Sequence, residues 1–109
     1  MKKIKTTPYQ FVVNSSDGKP TTQDFNVKEA LINILLHPEL KLNGRDLLLA
    51  HKFAEKIENC QDDFILVDLT DYVRLTKAIE TLQGFNKVHV EFVKRIVDAE
   101  DVDVQEKKQ

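Results

Sequence analysis

The chain has 109 residues, of which 41% are hydrophobic and 31% charged, and its formal net charge at pH 7 is −2. This composition predicts one soluble globular domain over residues 1–109; it excludes disordered and fibrous proteins, and a dedicated nucleic-acid binder would be basic. The single cysteine, Cys60, excludes a disulfide framework and a cysteine-rich zinc site. No apolar run is long enough for a membrane span or a signal peptide, so we expect a cytoplasmic protein with no membrane contact.

The amino-terminal part of the chain predicts a β-hairpin. Residues 9–13 are rich in aromatic and β-branched side chains, as strands are. The Asp17-Gly18 pair signals a turn, after which residues 21–25 can return as the partner strand. Polar and charged residues dominate both ends of the chain, so we expect residues 1–7 and 100–109 to be frayed tails.

Four helices are predicted after the hairpin, each from a cap residue and an apolar repeat of about 3.6 residues. The first covers residues 27–37, with Asn26 as its cap, and ends before Pro38. The second begins at Asn43 and extends to about residue 57.

Beyond the second helix, apolar residues 64–67 predict a buried extended segment or a small strand. Thr70 is the predicted cap of a third helix over residues 71–83, and Gly84 suits the left-handed position after its end. A fourth helix is predicted over residues 87–99. The expected fold class is therefore α+β and mostly helical, with an N-terminal hairpin-like segment followed by a compact cluster of three to four helices.

Apolar residues of the first predicted helix cover more of its circumference than a surface helix needs. Two interpretations stay open: the helix is enclosed by its own chain, or a second chain covers part of it. On the second helix, Leu48 stands among charged residues. Exposed apolar patches mark interaction sites, so we expect a protein partner, with a homodimer as one form of it. The candidate interface residues are Ile32, Leu36 and Leu48.

The second and third predicted helices each have an apolar face and a polar face. The residues expected in the core are Leu49, Ala50, Phe53, Ala54 and Ile57 of the second helix and Tyr72, Leu75, Ala78, Ile79 and Leu82 of the third. The polar faces carry candidate contacts for an anionic partner, namely Arg45, Lys52, Lys56, Arg74 and Lys77. A nucleic-acid-associated regulator that uses these basic faces is the alternative function, although acidic residues flank them and no aromatic residues interleave with them.

No pattern in the sequence predicts catalysis, a metal site or a cofactor. The three glycines are isolated, so no phosphate-binding loop occurs. His37, His51 and His89 are widely spaced; we expect His89 to pack as a hydrogen-bonded core residue and His37 to complement the dipole at the end of the first helix. Cys60 stands beside acidic residues, which disfavour a reactive thiolate. We therefore expect a protein that is not an enzyme.

Four segments occur in a recognisable order: the Asp-Gly-Lys-Pro turn at 17–20, the apolar helix at 27–36, the helix at 49–57, and Val-Asp-Leu-Thr at 67–70. Over residues 17–105 this order resembles a group of small uncharacterised cytosolic proteins encoded by tailed phages and prophages. The resemblance implies a phage- or prophage-encoded protein and transfers no functional residues. We expect a small interaction module that binds and modulates a host or defence protein, or a phage assembly component.

Overall fold

The computed structural model describes residues 1–14 and 16–102, and within them the chain forms four α-helices and two small antiparallel sheets. The α+β class is confirmed. The prediction of helices with one hairpin is correct only in part, because a three-stranded sheet is present beside the hairpin. In chain order the elements are β1 (Lys2–Lys5), β2 (Tyr9–Asn14), β3 (Pro20–Phe25), α1 (Val27–Leu35), a 3-10 turn (Pro38–Leu40), α2 (Gly44–Asn59), β4 (Phe64–Val67), α3 (Leu69–Thr81), a second 3-10 turn (Lys87–His89), α4 (Val90–Val97) and β5 (Glu100–Asp101).

The sheet formed by β4, β1 and β5 corrects the expectation that residues 1–7 are a frayed tail. β1 lies in the centre and pairs antiparallel with both neighbours. Its one apolar residue, Ile4, is fully buried, and the Thr6 N–H donates to the Asp63 carbonyl at 2.8 Å. Lysines fill the rest of β1, so its composition does not indicate a strand. In the other predicted tail, β5 pairs with β1, and residues 103–109 lie outside the described residues.

The predicted hairpin forms from β2 and β3, which make a sheet of their own. Gly18 in its turn has a φ of 83°, a conformation that glycine adopts without steric cost. At the open end of the hairpin, Tyr9 pairs with Phe25, and their rings stack with centroids 4.9 Å apart. The Tyr9 hydroxyl donates to the Val88 carbonyl at 2.6 Å, which ties the hairpin to the segment before α4.

Side-chain caps fix where the helices begin. The Asn26 and Asn43 side chains each accept a hydrogen bond from the backbone three residues later, at 3.0 and 2.8 Å, as the sequence predicts. The predicted cap of α3 is wrong: Asp68, not Thr70, accepts such a bond at 2.8 Å, and Leu69 becomes the first helical residue. Aspartate is the stronger cap of the two, which accounts for the earlier start.

Two helix ends also differ from the prediction. α1 ends at Leu35 rather than at residue 37, because the turn that Pro38 opens follows at once. The predicted fourth helix is divided: a 3-10 turn comes first, and α4 then ends at Val97 because β5 begins shortly after it. Gly84 adopts the left-handed conformation expected of it, with a φ of 95°, although α3 has already ended at Thr81.

One cluster of buried side chains joins all four helices to the three-stranded sheet. On α1, Val27, Leu31 and Leu35 are buried within this cluster, so the chain itself encloses that side of the helix. Leu49 of α2, predicted in the core, is exposed, because the buried stripe of α2 is narrower than the sequence pattern indicates. The confirmed core residues are Ala50, Phe53, Ala54, Ile57, Leu75, Ala78 and Leu82, while Tyr72 and Ile79 are partly buried against the cluster.

Candidate interaction groove

An open groove of about 670 Å³ lies between α3 and the segment that joins α1 to α2. Two of its lining residues, Leu35 and Ala78, belong to the buried core. The joining segment adds Leu40 and Leu42, so much of the lining is aliphatic. The volume falls within the range of about 300–1,000 Å³ that is usual for ligand sites. We refer to this feature as the groove.

Two of the residues that α3 contributes to the groove are both apolar and exposed. Leu69 and Val73 lie one helical turn apart and are 70% and 50% exposed. Both point away from the face of α3 that buries Leu75, so the helix has a second apolar stripe. The sequence predicts that α3 begins at residue 71, which places Leu69 outside the helix. The sequence prediction therefore does not include this stripe. The signal that reveals it is the Asp68 cap, since that cap places Leu69 and Val73 at i and i+4.

Positive charges dominate the groove. Its charged lining residues are Lys41, Arg74, Lys77 and one carboxylate, Asp46. The Arg74 side chain is only 18% exposed, and its Nη1 lies 4.0 Å from Asp46 Oδ1, which is longer than a hydrogen bond. Its Nε is buried and has no hydrogen-bond partner among the described residues. Arg74 therefore has donor capacity that the chain itself does not use.

The joining segment is held in a defined shape beside the groove. His37 Nδ1 accepts from the Glu39 N–H at 3.1 Å and so caps the following 3-10 turn. This corrects the expectation that His37 serves the end of α1, because the ring acts as an acceptor for the next turn. Lys41 closes that turn in the left-handed conformation, with a φ of 52°. Among the described residues it is the one non-glycine residue with positive φ.

Two of the five predicted anionic-partner contacts line the groove. Arg74 and Lys77 line the groove. Lys56 Nζ lies 3.7 Å from Asp71 Oδ2 and so pairs with α3. Arg45 and Lys52 are exposed on α2 and do not line the groove.

The three predicted interface residues also lie outside the groove lining. Ile32 and Leu36 are partly buried against the core cluster. Leu48 is 65% exposed, and its neighbours Leu47 and Leu49 are exposed as well. Leu48 faces away from the buried stripe of α2, and Leu47 and Leu49 flank it on either side of the helix. We call Leu48 with these two exposed neighbours the leucine patch, a second candidate surface.

The histidines and the cysteine have local structural contacts. His89 Nδ1 accepts from the Asn86 N–H at 3.1 Å, and its ring is partly buried, with edge contacts to Phe25 and Phe85. His51 is exposed, 3.8 Å from a Glu55 carboxylate oxygen. The Cys60 thiol donates to the Phe64 carbonyl at 3.2 Å. In the described part of the chain, no group of three or more His, Cys, Asp or Glu side chains is placed to hold a metal ion.

A smaller pocket of about 360 Å³ lies between β1 and α4. Its charges are mixed, with basic residues such as Lys3 and Lys94 beside acidic residues such as Glu91 and Asp98. This balance gives it less electrostatic preference for a ligand than the groove has.

Comparison with protein-family models, curated proteins and solved structures finds no match to this chain. None of the helices in residues 1–14 and 16–102 has the length and apolar character that crossing a membrane requires.

Proposed function

We propose that the protein is a small, non-enzymatic interaction module that docks a segment of another protein in the groove. The proposal rests on the exposed apolar stripe of Leu69 and Val73 at the side of a concave surface. Apolar surface left open in this way marks interaction sites on soluble proteins. A protein segment that covers the stripe removes it from water, which is a favourable contribution to binding.

The exposure of the stripe favours a protein segment over a small molecule. Sites for small molecules enclose most of the ligand surface. Here Leu69 and Val73 stay open to solvent, so an occupant covers them from outside. The resemblance to phage and prophage proteins supports the cytoplasm of a host cell as the setting. It also supports a host factor, a defence factor or a phage assembly component as the partner.

Affinity capture from host lysate, with matched variants, tests this function. The groove variant is Leu69→Ser with Val73→Ser. The control is Val90→Ser with Val97→Ser, which changes two α4 residues that are each 55% exposed and lie outside the groove. We expect the parent chain and the control to retain one stoichiometric protein that the groove variant loses, while circular dichroism shows all three chains folded.

Equal capture by the groove variant and the parent would contradict a role for the groove. Recovery of nucleic acid instead, with an affinity that falls steeply as salt rises, would support the nucleic-acid-associated alternative, because phosphate contacts release counterions.

A further inference from the structure

We infer that the segment docked in the groove is an acidic amphipathic helix, an inference that rests on the proposed function. Its apolar side chains would cover Leu69 and Val73, and its carboxylates would meet Lys41, Arg74 and Lys77. The lining chemistry and the geometry of α3 support this choice of partner.

The charge of the groove differs from the charge of the whole chain. The chain is acidic, with a net charge of −2, yet three cations and one carboxylate line the groove. The amino-terminal end of α2, which begins at Gly44 beside the groove, adds further positive potential. Interfaces juxtapose opposite potentials, which raises the association rate and excludes partners of the wrong charge. A basic segment would be repelled here.

Arg74 provides a specific receptor for a carboxylate. Asp46 is its one charged partner among the described residues, and that pair is too long for a hydrogen bond. A carboxylate from a partner can accept two parallel N–H bonds from a guanidinium, a geometry that lysine does not offer.

The geometry of α3 favours a helical partner. Leu69, Val73 and Lys77 lie at i, i+4 and i+8, so they follow one line with a rise of about 6 Å between successive residues. A helix with apolar residues at i and i+4 and an acidic residue at i+8 repeats that spacing. Every lining residue belongs to a helix, a 3-10 turn or a loop, so no strand edge is present to pair with an extended peptide. A helix satisfies its own backbone and needs no such edge.

Fluorescence anisotropy with defined peptides tests the inference. The probe is a labelled alanine-based peptide of about 20 residues, long enough to be helical, with leucine at i and i+4 and glutamate at i+8. A second peptide carries lysine in place of that glutamate. We expect the acidic peptide to bind the parent chain at least about tenfold more tightly than the lysine peptide does. The loss of one charge pair can change an affinity by this factor.

Two variants locate the charges that matter. Lys77→Glu is expected to lower the affinity for the acidic peptide by about tenfold or more and to raise the affinity for the lysine peptide. Lys52→Glu changes an exposed lysine outside the groove and is expected to leave both affinities within about twofold. Both residues are exposed, so both variants should fold.

Equal affinity for the two peptides, or no binding of either, would overturn the inference of an acidic helix. Loss of acidic-peptide affinity that is equal in Lys52→Glu and Lys77→Glu would also overturn it, because the attraction would then be to net charge alone. The capture experiment decides the proposed function separately, since it depends on Leu69 and Val73 and not on the charge of the partner.

Discussion

Arg95 connects α4 to the first two strands. Its Nε donates to Glu91 Oε2 at 2.9 Å, its Nη1 donates to the Thr7 carbonyl, and its guanidinium lies 5.2 Å from the centre of the Tyr9 ring. Lysine cannot reproduce this planar set of contacts. We predict that Arg95→Lys lowers the free energy of unfolding in urea by about 1–3 kcal/mol. Lys94→Met, at the exposed neighbouring position, should change it by less than about 0.5 kcal/mol. Equal effects of the two variants would contradict this role.

Titration of Tyr9 is expected to affect stability. Burial raises the pKa of its phenol, and this effect is larger than the opposing effect of the Phe92 backbone N–H, which favours the phenolate by donating to its oxygen. The neutral phenol is therefore favoured in the folded state, and this stabilisation is present below the ordinary pKa of about 10. It is lost as the pH rises through the higher pKa of the folded state. We predict that the stability advantage of the parent chain over Tyr9→Phe shrinks as the pH rises above about 10 in urea titrations. A difference that is independent of pH would contradict the raised pKa.

At the scale of elements, α3 has two apolar faces with different roles. Leu75 is fully buried, whereas Val73, two residues earlier, is half exposed at the groove. We predict that Leu75→Ala lowers the free energy of unfolding by about 2–5 kcal/mol, the cost of truncating a buried leucine. Val73→Ala is the matched control and should cost less than about 0.5 kcal/mol. A loss below about 0.5 kcal/mol at Leu75 would mean that the assignment of helix faces is wrong.

The elements that the sequence predicts are those with local signals. The Asn26 and Asn43 caps and the Leu75 face depend on residues within one or two turns, so pattern and capping rules identify them. β1 is not identified, because Ile4 stands among lysines and its pairing partners lie in distant segments. The groove is missed for the same reason: it forms where the segment before α2 meets α3, which no local pattern specifies.

At the scale of the whole molecule, the leucine patch is the surface on which self-association is expected. The chain encloses one side of α1, so α1 offers less open apolar surface than Leu47, Leu48 and Leu49 do. We predict that light scattering gives the mass of two chains for the parent and of one chain for Leu48→Glu. Lys52→Glu, on the same helix, should keep the mass of the parent. A one-chain mass for the parent would contradict the homodimer. A different protein would then be the expected partner.

Site-specific photo-crosslinking tests most directly whether another protein occupies the groove. A photoreactive residue in place of Val73 is predicted to give one dominant adduct in cells that produce the protein. The crosslinked segment of that adduct should carry apolar residues flanked by aspartate or glutamate. The same photoreactive residue in place of Val90, which is equally accessible but outside the groove, should give no such adduct. The same adducts at both positions, or none at Val73, would contradict docking in the groove.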